Sequence, residues 1–427
     1  MEWTPARIRL LRAAGLCLSQ NEFATALGFT KRTIGNAERS VHPPSLALRR
    51  ALDQALEKAS DAQRDRFLAA LGAAQTATQM MPASRDRGHH LAPTLDGLRG
   101  VMLGWPHMTL RRDMGEKSAP ETTVMAAIAE VHRRYQLADY DSAAQLLPAV
   151  LIRLHDQSGA RDGNDECRVG TLTSRHRTAA AYIAAAKLAT KLGDSGLAWV
   201  AADRARTAAS ESGHVALGGV ATYQVACALL RAGDLAHAER TAAIGIEDIA
   251  GAAAAPHPVR YRDEVLSVHG SLLLLLAIMA ARRGDCKTAQ VALGKAGRLA
   301  EGLGRDGNWL WTAFGPTNVA IHQLSVHTSL GRVEQAMQLG ATVNTEVLSP
   351  VLRGRRSRVH LDLSWAAAHE ADDALAVLHL LAAERVAEQA VSRNASAKEL
   401  LSTLLKRERR GATPGLRGLA ARAGLLQ

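Results

Sequence analysis

The sequence predicts an all-α protein, and three observations carry that prediction. Aromatic residues make up only 4% of the 427 residues, and alanine and leucine dominate in their place. Sandwiches and barrels lean on β-branched and aromatic side chains, so this composition favours packed helices. From about residue 121 to 405 the chain keeps helical periodicity almost without interruption, and no strands are apparent. Within that stretch a small or turn-forming pair recurs, each time followed by an alanine five residues after its first member. At roughly 150 residues per domain, the length favours two or three domains.

Residues 3 to about 72 read as several short helices. In LSQNEFATALGFTKRTIGNAERSVHPPSLALRRALDQAL, Ser19 is a good N-cap and Glu22 stands three residues later, which makes a capping box. Phe23, Ala24 and Leu27 supply an apolar face, Gly28 ends the helix, and Phe29 fills the corner. Thr30 caps a second helix, from Lys31 to Arg39, with Ile34 and Ala37 inward. Pro43 and Pro44 close it off, and Ser45 caps a third helix from Leu46 to Lys58. Two short helices joined by a glycine-containing turn, the second with a basic outer face, form a helix-turn-helix.

Ser19, Gln20, Phe23, Ala24, Leu27, Gly28, Thr30, Thr33, Ile34 and Glu38 match the pattern of the Cro/CI-type (XRE) helix-turn-helix family, which the chain resembles over roughly residues 3–60. Ala37 departs from it, standing where a larger apolar residue is usual, and the segment before Ser19 is about one residue longer. The resemblance implies a lambda-repressor-like domain whose recognition helix begins at Thr30. Lys31, Arg32 and Asn36 are then the base contacts, and Gln20, Thr30, Thr33 and Arg39 the phosphate contacts. The chemistry suits the roles: Arg donates twice to guanine O6 and N7, Asn pairs bidentately with adenine, and phosphate contacts fix the register. Residues 1–60 hold nine Lys/Arg against five Asp/Glu, in keeping with a phosphate-facing module. The whole chain is basic too, with 52 Lys+Arg against 41 Asp+Glu, a net charge of +11.

Residues 73 to about 120 are punctuated by Pro, Gly, Ser and His and read as a linker, with one short helix at Thr94–Leu103. The recurring pairs follow: Ala138-Asp139 with Ala143, Gly193-Asp194 with Ala198, Gly233-Asp234 with Ala238, Gly284-Asp285 with Ala289, and Gly331-Arg332 with Ala336. His369-Glu370 with Ala374 reads as a weak last member. Glycine stops one helix in the left-handed conformation, Asp caps the next, and the alanine lets the two approach closely. This unit resembles the helix–turn–helix repeat of tetratricopeptide (TPR) solenoids, with longer spacings of 40, 51 and 47 residues from Gly193 to Gly233, Gly284 and Gly331.

The expected organisation is therefore a DNA-binding domain over 1–72, a linker over 73–120, a TPR-like domain over 121–405, and a solvated basic tail over 406–427. The layout resembles actinobacterial-type regulators that join an XRE domain to a TPR-like sensor; FGPTNVAIHQLSVHTSLGRVEQA, RGRRSRVHLDLSWA and LRGLAARAGL look like their closing repeats. That resemblance implies a homodimer on a palindromic double-stranded DNA operator, with a peptide or small-molecule effector. The alternative is a TPR interaction scaffold with a degenerate helix-turn-helix used for protein contacts.

Asn308, Trp309, Trp311, Phe314, Asn318 and His322 are the candidate effector-binding residues, combining rare aromatic walls with amides and imidazole. Arg353, Arg355, Arg356 and Arg358 form a second basic cluster, suited to an anion, to the DNA backbone, or to a solvated loop or dimer salt bridge. Enzyme chemistry finds little support. GDCKTAQVALGKAG fails as a phosphate loop because Ala289 and Ala296 stand at required positions, and no other catalytic motif has a suitable context. No cofactor and no metal site is expected, since the four cysteines lie far apart and the histidines are scattered. The N-terminus lacks an apolar signal core, and Leu272–Ala281, the most apolar stretch, is too short to span a bilayer. A cytoplasmic, nucleoid-associated protein without membrane contact is expected.

Overall fold

A computed structural model describes residues 3, 5–16, 18–38, 44–68, 95–103, 121–159, 168–253, 258–408, 411 and 413–426. Every regular element among them is helical. The chain divides into two compact units, Met1–Arg85 and Asp86–Gln427.

In the first unit, α1 (Pro5–Leu10) runs into a π-helical turn over Leu11–Gly15, followed by α2 (Gln20–Leu27), α3 (Lys31–Glu38), α4 (Leu46–Lys58) and α5 (61–68). The π turn lies just before the Ser19 cap. Leu16 N–H reaches back five residues to the Leu11 carbonyl at 2.8 Å, widening the helix locally while Ile8 and Leu11 stay fully buried. The capping box forms as the sequence predicts, Ser19 Oγ accepting from Glu22 N–H while Glu22 accepts from Ser19 N–H. Gly28 ends α2 at φ 72°, and Ser45 caps α4. With a small residue at Ala37, the aromatic bulk of this core comes from Phe23, Trp3 and Phe67, the last two stacked with centroids 6.3 Å apart.

The second unit begins with α6 (Asp96–Met102), the short helix expected within the linker. Leu98, Val101 and Met102 are buried in the core of the repeats and Arg99 pairs with Asp194, so this helix belongs to the repeat array. Six helical hairpins follow: α7 (Glu121–Gln136) with α8 (Tyr140–Gly159), α9 (Arg168–Leu192) with α10 (Ser195–Glu211), α11 (Val215–Arg231) with α12 (Leu235–Ala253), α13 (Val259–Arg282) with α14 (Cys286–Leu303), α15 (Pro316–Ser329) with α16 (Val333–Thr342), and α17 (Arg353–His369) with α18 (Asp373–Val386).

One turn closes all six. A left-handed residue (Ala138, Gly193, Gly233, Gly284, Gly331 or Ala371) is followed by a residue whose N–H bonds the carbonyl five positions back. In five of the six that residue is an aspartate, which also caps the next helix. The alanine five positions after the left-handed residue (Ala143, Ala198, Ala238, Ala289, Ala336, Ala376) is completely buried each time. The last turn is thus Ala371-Asp372 with Ala376, two residues beyond the expected His369-Glu370 with Ala374, and Ala374 itself is exposed. The correct pair repeats Ala138-Asp139, an alanine accepting the left-handed strain that glycine avoids.

Helix α13 is long and apolar enough to cross a membrane, yet 72% of its most apolar window is buried inside the protein, as expected of a core helix. Beyond the hairpins lie α19 (Gln389–Ser392), α20 (Ala395–Lys406) and α21 (Leu416–Arg422). They correct one expectation. The region after 405 is not simply a solvated basic tail: Leu416 and Leu419 are fully buried, and Arg407, Arg417 and Arg422 pair with Asp373, Glu408 and Glu384. The array also closes on itself within this unit. Arg393 bonds Asp141 of the first hairpin at 2.8 Å, Gln389 accepts from the Asp141 N–H at 3.0 Å, and α17 packs on α7.

Candidate functional sites

The α2–turn–α3 pair presents the first site. On α3, Ile34, Gly35, Ala37 and Glu38 face inward, while Lys31, Arg32 and Asn36 are exposed. Lys31 and Arg32 have no hydrogen-bond or ion-pair partner among the described residues, so both cations stand available on the outer face. Behind them Glu38, 3% exposed, ties the module together. Its carboxylate accepts from Arg12 at 2.6 and 3.2 Å and from Gln20 at 2.7 Å, and Arg9 donates to its backbone carbonyl at 3.0 Å. Of the expected phosphate contacts, Thr30 and Thr33 sit at the start of α3 with their hydroxyls 2.9 Å apart, and Thr30 Oγ1 accepts from Thr33 N–H. The Gln20 side chain is turned onto Glu38, and Arg39 lies outside the described residues.

The second site lies inside the repeat array. The first helix of each of five successive hairpins lines one cavity of about 40 Å³: Lys187 from α9, Tyr223 and Gln224 from α11, Val268 and Ser271 from α13, Asn318 and His322 from α15, and Arg355 from α17. Trp311 and Thr312 cover it from the loop before α15. That loop is strained, with Leu310, Trp311 and Ala313 at φ 46°, 60° and 54°, in a region that costs about 1–3 kcal/mol per non-glycine residue. It is held by Lys187 Nζ donating to the Trp311 carbonyl at 3.1 Å, and by the Trp311 ring stacked 3.7 Å from His132.

The cavity gathers basic side chains from three helices, Lys187, His322 and Arg355. Burial, and then Arg355, pushes the Lys187 pKa down to about 7. Burial, and then Arg358 and Arg355, brings Lys191 one turn later down to about 8. Burial and Arg355 also hold His322 neutral, down to about 3, although its Nδ1–H donates to the Asn318 carbonyl at 2.8 Å. The nearby carboxylate, Asp362, is already engaged by Arg358 and by the Ser325 hydroxyl.

The six effector candidates are only partly brought together. Trp311, Asn318 and His322 line the cavity. Asn308 and Trp309 line a neighbouring, more open cleft with His176, His214 and Glu264, and Trp311 borders both spaces; in the cleft Asn308 exchanges hydrogen bonds with Gln136 and Arg305 lies over the Trp309 ring. Phe314 is a correction: it is completely buried against Gly270 and belongs to the core. The basic cluster on α17 divides likewise. Arg355 reaches the cavity, Arg358 pairs with Asp362, Arg356 bonds Glu346 and the Leu348 carbonyl, and Arg353 is exposed.

Sequence reasoning missed Lys187, Tyr223 and Gln224 in the lining, and Lys191 one turn beyond it. A signal for the lysines exists: they interrupt the apolar run AYIAAAKLATKL four residues apart, on one helix face. No family model and no curated protein matches the chain significantly. Among the described residues no group of His, Cys, Asp and Glu is arranged to hold a metal ion.

Proposed function

We propose that this chain is a sequence-specific DNA-binding transcriptional regulator of XRE type, with a TPR-like repeat domain that mediates dimerisation and senses a peptide or small-molecule signal. The observation that carries the reading is α3: a short helix with its inner face locked by Ile34 and Glu38 and its outer face offering Lys31, Arg32 and Asn36. A helix of this kind fits the major groove, where Arg reads guanine and Asn reads adenine. One such module reads a half-site. Two copies related by a two-fold axis present recognition helices about 34 Å apart, so a palindromic operator and a homodimer follow. The sensing role is supported by the partly open cavity of the repeat domain, lined by polar and apolar groups and covered by a strained loop.

The test is recovery of genomic fragments by the purified full chain at about 150 mM salt, where exposed charge contacts are screened beyond about 8 Å. A single enriched palindrome is expected, with Arg32→Ala relaxing base preference and Lys31→Ala weakening binding. Diffuse, salt-sensitive recovery with no motif would replace this reading with an interaction scaffold whose N-terminal module contacts protein.

A further inference from the structure

We infer that the interior cavity is a receptor for a small oxyanion, with the phosphate or carboxylate head of a small metabolite held by Lys187 and Arg355 and by the amide of Asn318. The inference rests on reading the repeat domain as a sensor, and it specifies the class of signal.

Three observations lead to it. First, Lys187 and Arg355 face one cavity from helices far apart in sequence, and no carboxylate pairs with either among the described residues. Lys187 meets only uncharged partners, the Trp311 carbonyl and the Trp311 ring 6.0 Å away, and Arg355 has no side-chain partner among the described residues. Both are half-buried, and cations drawn partly out of water are ordinarily paired, so a site that gathers them without a counter-charge has room for an anion. Second, the acid that could serve, Asp362, is taken by Arg358 and Ser325. Third, Asn318 is 1% exposed, lines the cavity, and its side-chain oxygen has no hydrogen-bond partner. That oxygen is an acceptor, so it calls for a donor on the ligand, such as the hydroxyl of a monoprotonated phosphate. The size agrees: about 40 Å³ exceeds the roughly 10–15 Å³ one water needs and suits a compact head group rather than a peptide. The anion would also compete for the Lys187 ammonium with the bond that holds the strained Trp311 loop, which ties occupancy to loop conformation.

The test is calorimetric titration of the full chain, without DNA, with inorganic phosphate and separately with acetate, chloride balancing the ionic strength. Saturable binding of at least one is expected, and the arm that binds identifies the head group as phosphoryl or carboxyl. Lys187→Met and Arg355→Met should each weaken it at least ten-fold, whereas Arg353→Met, on the same helix but exposed, should leave it unchanged. Melting curves check that the variants are folded; if Lys187→Met is not, Arg355→Met carries the same expectation alone. Absence of saturable binding in both arms, or unaltered binding in folded Arg355→Met, would overturn the inference. Because no DNA is present, failure of operator recognition leaves this result standing, and the reverse also holds.

Discussion

Replacing Glu38 by alanine should destabilise the N-terminal unit selectively and severely. The Glu38 side chain is 2% exposed and holds Arg12, itself 15% exposed, through two hydrogen bonds, with Gln20 on the same carboxylate. Removing one partner of a buried pair costs about 3–5 kcal/mol, because the remaining charge is left desolvated without compensation. Arg12 keeps its bond to the Leu18 carbonyl and some access to water, which places the expected cost near the lower end, about 3 kcal/mol. For a unit of this size that corresponds to a fall in melting temperature of roughly 12–24 °C. Hydrogen exchange on the full chain separates the units: amides of α1 to α4 should lose protection while those of α7 to α18 keep theirs. An Arg12→Leu/Glu38→Leu double variant should recover much of the loss, since apolar replacement of a buried ion pair is often neutral or stabilising. If Glu38→Ala alters protection by less than about 0.5 kcal/mol, the range of an ordinary surface substitution, the clamp is not what holds this module.

Three further outcomes are expected. Gly270→Ala should cost at least about 1–3 kcal/mol in thermal or urea unfolding, because a Cβ there would fall inside the Phe314 ring, and Phe314→Leu should partly rescue it; a silent Gly270→Ala would contradict this packing. Leu419→Ala should cost about 2–5 kcal/mol, since Leu419 is fully buried; a change within about 0.5 kcal/mol would restore the solvated-tail reading. The protein should lose stability as pH falls from about 6.5 toward 3, because the unfolded chain protonates His322 where the folded chain, with that pKa pushed down to about 3, does not. His322 alone contributes roughly 3 kcal/mol of this loss by about pH 4.5, with buried His132 acting in the same direction, and urea titrations of wild type and His322→Asn at several pH values should show a shallower acid limb in the variant.

Much of the local structure was legible because it depends on short-range chemistry. Ser19 with Glu22, Gly28, Thr30 and Ser45 mark helix ends through bonds that span three to five residues, and each works where the sequence places it. The same holds for the Gly-Asp turns and their buried alanines. The last turn differs because Ala371-Asp372, which copies Ala138-Asp139, takes the left-handed position two residues beyond His369-Glu370. The terminal helix is masked in the sequence by the six Lys/Arg residues of 406–427, whereas burial depends only on which side faces the core. Of the second site, the aromatic and amide half was visible in the local clustering of Trp311, Asn318 and His322.

By itself the sequence determined the helical class, the boundaries of most helices, the hairpin turns and the outward face of α3, since caps, periodicity and small-residue contacts act between neighbours in the chain. Only the tertiary structure decided that Arg12, Gln20 and Glu38 form one clamp, that Arg393 and Gln389 return to Asp141, and that Lys187 and Arg355 share a cavity. Residues 168 positions apart meet there because each hairpin turns its first helix inward. Which cations then lack a counter-charge depends on the sum of those rotations, a quantity no local pattern encodes.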